Sequence, residues 1–353
     1  MDPLIKPFFS LLLFFSSTLL FGEINGVEGS NQHHQYHDHL YGPKKLFVFG
    51  DSYADTGNIK KSHAVSWRVP YGITFPGKPS GRFSDGRVST DFLARLMRIK
   101  SPIPYLWKDY AGNKRLRYGM NFAYGGTGVF NTQSSSPNMT IQINLFEHLL
   151  GDDLYSPSDL SSSLALVSVA GNDYSNYLTL SRSIAELPAF IKQVVDQTEV
   201  NLRRIHAFGV EKIAVPSLQP LGCLPLYASL QGCNDTFNAL VNYHNTLLQQ
   251  VVAKLNNETN HSTFIIFDFY NAFLTIFKTK GENSGGSRRF ETPLKPCCEG
   301  SCAHVDDKGE KKYRLCDDPK SAFFWDGLHP TQQGWESVYS VLGKNLTASL
   351  IKP

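Results

Sequence analysis

The chain has 353 residues with 41% hydrophobic content, enough for a real core in one large domain or two average ones. Its 34 basic and 31 acidic side chains leave a net charge of +3, so no overall field draws it to nucleic acid. The short basic clusters at 114–117 and 311–314 stand alone and read as solvated surface.

At the start, Lys6 precedes an apolar run from Phe8 to Phe21, too short to span a bilayer and followed by Gly22, Gly26 and Gly29. Residues 1–25 are expected to be a secretory signal peptide, cleaved between 22 and 29. Residues 26–44 read as a disordered leader; the histidines between His33 and His39 sit on no element that could fix ligand geometry, so no metal role is assigned to them. No later stretch reaches transmembrane length. The expectation is a secreted, extracellular monomer.

Two features agree with secretion. Asn-x-Ser/Thr sequons stand at Asn138, Asn234, Asn257, Asn260 and Asn345 as glycosylation candidates. Six cysteines, an even number, suit disulfides in an oxidising compartment. Cys223 and Cys233 bracket a short Pro/Gly-rich loop and are expected to pair, whereas the connectivity of Cys297, Cys298, Cys302 and Cys316 stays open. Zinc is the alternative for those four, but the adjacent Cys297-Cys298 does not match paired Cys-x-x-Cys knuckles.

Beyond the leader, apolar β-type runs occur at 45–49, 164–171, 212–218 and 263–269. Helical three- and four-residue spacing fills 184–208 and 237–255, and a closing helix is predicted from about 334 to 350. Strands apolar along their length and alternating with helices predict an α/β fold with a parallel sheet covered on both faces. No repeat or long linker divides the chain, so a single domain from 45 to 353 is expected. The pattern-poor stretches 60–86 and 281–319 are long loops of the kind that border binding sites.

In an open parallel sheet, ligands bind beyond the carboxyl ends of the strands. The first run ends in Gly50-Asp51-Ser52 and the second in Gly171-Asn172-Asp173. Between them lies the glycine-rich stretch Asn121 to Gly128, which lets backbone N–H groups approach an anion. Near the end, Asp326 and His329 stand three residues apart. A serine hydroxyl needs a base to take its proton, and a neutral imidazole oriented by a carboxylate supplies one. Ser52 is thus the candidate nucleophile, His329 the base and Asp326 its partner. The Ser52 and Gly126 N–H groups and the Asn172 side chain are candidate oxyanion donors, with Gly125 a rival to Gly126.

These four blocks, in this order, resemble the GDSL esterase/lipase family of SGNH hydrolases, and most closely its plant branch. Phe49 to Asn58 matches the branch's Phe-Gly-Asp-Ser-x-x-Asp-x-Gly-Asn at every defined position. Asn121-Phe122-Ala123 leads to the Gly-Gly pair, and Asp326-x-x-His329 is followed by Pro330-Thr331. The Gly-x-Asn-Asp block appears as Ala170-Gly171-Asn172-Asp173, with Ala170 where the family has glycine. The resemblance covers about Lys45 to Lys352 and implies a three-layer αβα, flavodoxin-like fold, the roles named above, and no cofactor.

The implied activity is hydrolysis of a small-molecule or lipid carboxylic ester through an acyl-enzyme on Ser52. An acyltransferase using the same acyl-enzyme and a non-catalytic binding protein are the alternatives. Tyr53, Tyr124, Phe130 and Trp325, near the blocks, would permit an apolar or aromatic acyl group. Competing motifs fail on chemistry: in Gly72 to Pro79, a near phosphate loop, Pro79 replaces the magnesium-binding Ser/Thr, and Ala54 interrupts Gly-x-Ser-x-Gly.

Overall fold

The computed structural model describes residues 42–169, 171–180, 183–229, 232–282 and 289–351, with the backbone alone at 344, 345, 347–349 and 351. The expected signal peptide, the leader up to residue 41, and Ala170 lie outside the described residues.

In chain order the sheet strands are β1 (Lys45–Gly50), β2 (Ile103–Pro104), β3 (Gly119–Asn121), β4 (Ser163–Ser168), β5 (Lys212–Pro216) and β6 (Phe264–Phe267). The helices among them are α1 (Ser89–Leu96), α2 (Asn113–Leu116), α3 (Met139–Gly151), α4 (Pro157–Leu160), α5 (Gly171–Thr179), α6 (Leu187–Ala207), α7 (Asp235–Thr259) and α8 (Phe269–Thr279). A hairpin, β7 (Cys298–Val305) and β8 (Lys311–Leu315), precedes the closing helix α9 (Gln332–Ile351).

The strands form one parallel sheet in the order β2-β3-β1-β4-β5-β6. Without the two-residue β2, this is the flavodoxin-like order, and its topological switch lies between β1 and β4. Successive side chains on a strand point to opposite faces. Leu46 and Val48 of β1 join Leu164 and Leu166 of β4 in a core with α8 and α9, through residues such as Phe273 and Trp335. Phe47 and Phe49 join Ala165 and Val167 in a second core with α3, α6 and α7, through Phe146, Leu202 and Val252. Each strand is sandwiched, and the three-layer αβα architecture follows. Phe47 and Phe49 are fully buried, so trimming either to Ala would cost about 3–5 kcal/mol.

Several boundaries differ from the sequence expectation. The second run ends as a strand at Ser168, and Gly171 already belongs to α5. The fourth ends at Phe267, because the Asp268 side chain accepts the Asn271 N–H and caps α8. The cysteine-rich stretch read as loop contains the β7–β8 hairpin, whose largely exposed strands carry little apolar alternation. β2 and β3, of two and three residues, are too short to show a period.

Candidate active site

Ser52 lies in the turn after β1, where the Ala54 and Asp55 N–H groups both donate to the Asp51 carbonyl. Asp326 and His329 lie in the turn before α9. Its shape comes from Asp326 itself, whose Oδ1 accepts the Leu328 and His329 backbone N–H groups at 2.9 Å each. His329 Nδ1 sits 2.8 Å from Asp326 Oδ1 and 2.9 Å from Oδ2, and its Nε2 lies 2.9 Å from Ser52 Oγ. With the ring proton on Nδ1 facing the carboxylate, Nε2 accepts the Ser52 hydroxyl. Ser52 and His329 are 277 residues apart in sequence and meet here, both largely buried.

The glycine-rich stretch leaves β3 beside this pair. Gly125 donates its N–H to Asp55 Oδ2 at 3.0 Å, whereas the Gly126 and Ser52 N–H groups have no acceptor among the described residues. Gly126 turns the chain with φ +80°, a conformation that favours glycine. Asn172, in the first turn of α5, donates from Nδ2 to the Thr127 carbonyl at 2.9 Å and approaches Asp51 Oδ2 at 3.5 Å. Ser52, Asn172 and His329 border a cavity of about 50 Å³ that Gln219, Leu224 and Phe269 also line. A larger groove, about 960 Å³, opens at the amino-terminal ends of β1 and β3, and none of the candidate residues lines it.

The acids nearby are shifted in different directions, although burial acts upward on each. It pushes Asp51 up to about 7, despite the Tyr53 N–H it accepts. Asp55 and Asp173 are each pushed up to about 6 by burial that outweighs their backbone hydrogen bonds. For Asp326 burial also acts upward, but the charge of His329 and hydrogen bonds from His329, Tyr71 and the Leu328 N–H hold the carboxyl below its ordinary range.

Tyr71 had no signal in the sequence beyond lying in the long loop 60–86. Its buried hydroxyl donates to Asp326 Oδ2 at 2.7 Å. The same loop lays Phe83, half-buried, against the His329 ring with centroids 5.0 Å apart. It is pinned to the Asp326–His329 turn by the Ser84 hydroxyl on the Pro330 carbonyl (3.0 Å) and by Asp85 Oδ1, which accepts the Gln332 N–H (2.7 Å). Of the aromatics singled out from sequence, Trp325 is fully buried against Tyr71 and does not line the site cavity; its backbone N–H donates to the His329 carbonyl and its backbone carbonyl accepts the Cys298 N–H. Phe130 packs on Phe190, Tyr124 is half-buried, and Tyr53 donates to the Leu328 carbonyl at 2.6 Å.

The six cysteines form three bridges, Cys223–Cys233, Cys297–Cys316 and Cys298–Cys302, so none of the last four is a free zinc ligand. The Cys297–Cys316 bridge staples the hairpin at its base while Cys298–Cys302 lies within β7, and the Cys297 and Cys298 N–H groups donate to the Phe324 and Trp325 carbonyls just ahead of Asp326. Among the sequons, Asn257 and Asn260 are exposed near the end of α7; Asn138 and Asn234 are half-buried and cap α3 and α7. Asn345 lies in α9, and its side chain is outside the described part.

Comparison with known proteins agrees with this architecture. Residues 46–341 match the family described as GDSL-like lipase/acylhydrolase. The chain is 71% identical to the GDSL esterase/lipase At5g03610 of Arabidopsis thaliana over 100% of both chains. It is 61% identical to the GDSL esterase/lipase At3g09930 of the same plant, covering 97% of this chain and 98% of that one. Acetylajmalan esterase 1 of Rauvolfia serpentina shares 32% identity over 83% of this chain and 84% of its own length. With the family's sequence model spanning most of the chain and relatives of this name matching it end to end, the protein belongs to the GDSL-like lipase/acylhydrolase family, enzymes that hydrolyse ester bonds.

Proposed function

We propose that the protein is a secreted serine esterase that hydrolyses a small-molecule or lipid carboxylic ester through an acyl-enzyme on Ser52. The observation that carries this reading is the continuous chain Ser52 Oγ, His329 Nε2, His329 Nδ1, Asp326, with links of 2.9 and 2.8 Å. Ser52 Oγ attacks the ester carbonyl carbon as its proton passes to His329 Nε2, and the ionised Asp326 stabilises the imidazolium. The carbonyl oxygen becomes an oxyanion. Its donors are the Ser52 and Gly126 N–H groups and the Asn172 Nδ2; Gly126 is preferred to Gly125 because the Gly125 N–H already donates to Asp55.

Collapse of the tetrahedral intermediate breaks the bond to the alkoxy oxygen, which leaves as the alcohol with the proton from His329. Water then gives a proton to His329 and attacks the acyl carbon, releasing the acid and restoring the Ser52 hydroxyl. No cofactor takes part in these steps. The small cavity beside Ser52 favours a short arm of the ester on that side. Three disulfides and the exposed sequons Asn257 and Asn260 support secretion and glycosylation.

The test is Ser52→Ala, assayed on a series of chromogenic esters of increasing acyl length. Loss of hydrolysis across the series, with loss of labelling by a fluorophosphonate, is the expected result. Full turnover by the folded variant would overturn the assignment.

A further inference from the structure

We propose that Asp55 and Asp173 are positioning residues for the oxyanion hole: their carboxylates hold the stretch from Tyr124 to Phe130 at both ends and so set where the Gly126 N–H points. The inference rests on the oxyanion role proposed above for Gly126.

Asp55 Oδ2 accepts the Gly125 N–H at 3.0 Å, one residue before Gly126. Its other contacts, with the Gly57, Asn58 and Ile59 N–H groups at 2.7, 2.7 and 3.2 Å, lock the carboxylate to the turn that follows Ser52. Asp173 works from the opposite side. Its Oδ2 accepts the Val129 N–H at 2.8 Å and its Oδ1 the Phe130 N–H at 2.9 Å. Asp173 is the residue after Asn172 on α5, so one helix turn carries both an oxyanion donor and the clamp on the loop bearing another. Gly128 makes the approach feasible: a Cβ there would stand 2.4 Å from Asp173 Oδ2.

Both side chains are buried, and each places its charge against backbone N–H groups. Hydrogen bonds to an ionised acceptor are shorter and roughly twice as strong as neutral ones. Without them the stretch keeps the Tyr124 N–H on the Gly50 carbonyl, the Thr127 hydroxyl on the Gly50 and Tyr124 carbonyls, the Thr132 hydroxyl on the Gly126 carbonyl, the Asn172 amide on the Thr127 carbonyl and the Met139 N–H on the Gly128 carbonyl. None of these bonds takes the Gly125 carbonyl or the Gly126 N–H, the two polar groups of the peptide before Gly126. Because a misplacement of about 1 Å can cost about 100-fold in rate, the clamps matter to the transition state more than to the bound substrate.

Asp173→Asn and Asp55→Asn test the assignment. In Asp173→Asn, either orientation of the amide turns an NH₂ group toward the Val129 or the Phe130 N–H, so one clamp bond is lost while the shape stays. The expected result for each variant, assayed well below its melting temperature, is a kcat lower by about 100-fold with KM within about twofold. Affinity for an aryl boronic acid that forms a tetrahedral adduct on Ser52 should fall by the same factor as kcat/KM. A folded variant with unchanged kcat, or one whose kcat falls while boronate affinity holds, would overturn the proposal.

If neither variant folds, amide hydrogen exchange in the unaltered enzyme decides. The Gly125, Val129 and Phe130 amides should exchange at least ten times more slowly than Gly126; equal rates would refute the clamp. A failure of the underlying esterase reading is distinguishable, since it would show as activity surviving Ser52→Ala.

Discussion

The two sides of the site treat buried carboxylates in opposite ways. On the Ser52 side, Asp51, Asp55 and Asp173 meet mainly backbone N–H groups, and burial pushes them up to about 7, 6 and 6. On the His329 side, Asp326 is just as enclosed, yet the imidazole and the Tyr71 hydroxyl hold it below its ordinary range. Burial alone does not set the charge state; the partner does. The acid beside the histidine is given an imidazole and a phenol. Acids that only orient backbone are left with N–H groups.

The supports differ as well. The Ser52 side is built at the switch point of the sheet from strand ends, whereas the His329 side is built from the long loop 60–86 and a disulfide-stapled hairpin. The sharpest way to separate these supports is to replace Cys297 and Cys316 together by Ser. A loop of this length contributes about 3 kcal/mol, so the melting temperature should drop by several degrees while the Ser52-side geometry, read as fluorophosphonate labelling well below the transition, survives. Labelling lost together with the bridge would show that the two sides are not separable.

Tyr71→Phe is expected to act next most strongly. It keeps the ring packed on Trp325 and removes one donor from a buried carboxylate, a loss of about 1–3 kcal/mol. Near the low end of that range kcat/KM falls about tenfold, and the melting temperature should drop by a few degrees. An unchanged kcat/KM would mean that His329 and the turn N–H groups suffice to hold Asp326.

A further effect concerns pH. Asp51 sits at about 7 in the folded chain against 3.8 ordinarily, so between those values the folded chain keeps a proton that the unfolded chain has released. Its contribution to stability is therefore lost as pH rises from about 4 to about 7. Asp51→Asn carries no such proton, so its melting temperature relative to wild type should improve as pH rises from 5 to about 8. A difference that stays constant over that range would place the Asp51 proton elsewhere.

Much of the Ser52 side was legible before any coordinates. A strand-type run ending in Gly-Asp-Ser, another ending near Asn172, and the alternation of strands with helices were enough to expect a parallel sheet and a serine at its carboxyl edge. Asp326 and His329 could be joined in advance as well, because three residues of separation in a turn bring a carboxylate to an imidazole. Tyr71 and Phe83 left no mark: they sit in a stretch with no period, and their partner lies 255 and 246 residues away, respectively, at Asp326 and His329. Asp55 and Asp173 stood inside the quoted blocks, but which N–H groups a carboxylate will find depends on how two loops cross. Trp325 was misplaced for a related reason, since adjacency to Asp326 in sequence says nothing of which way a side chain turns.

Side-chain chemistry and local spacing, then, were enough for the sequence alone to establish the fold class and to single out Ser52 and the Asp326–His329 pair as candidates, since periodicity and short-range geometry are properties of neighbouring residues. The meeting of Ser52 with His329, the Gly125 bond to Asp55, the Tyr71 contact and the hairpin's place behind Asp326 were decided only by tertiary structure. Each depends on segments far apart in the chain being closed against one another by the packing of two cores, and no local pattern encodes that distance.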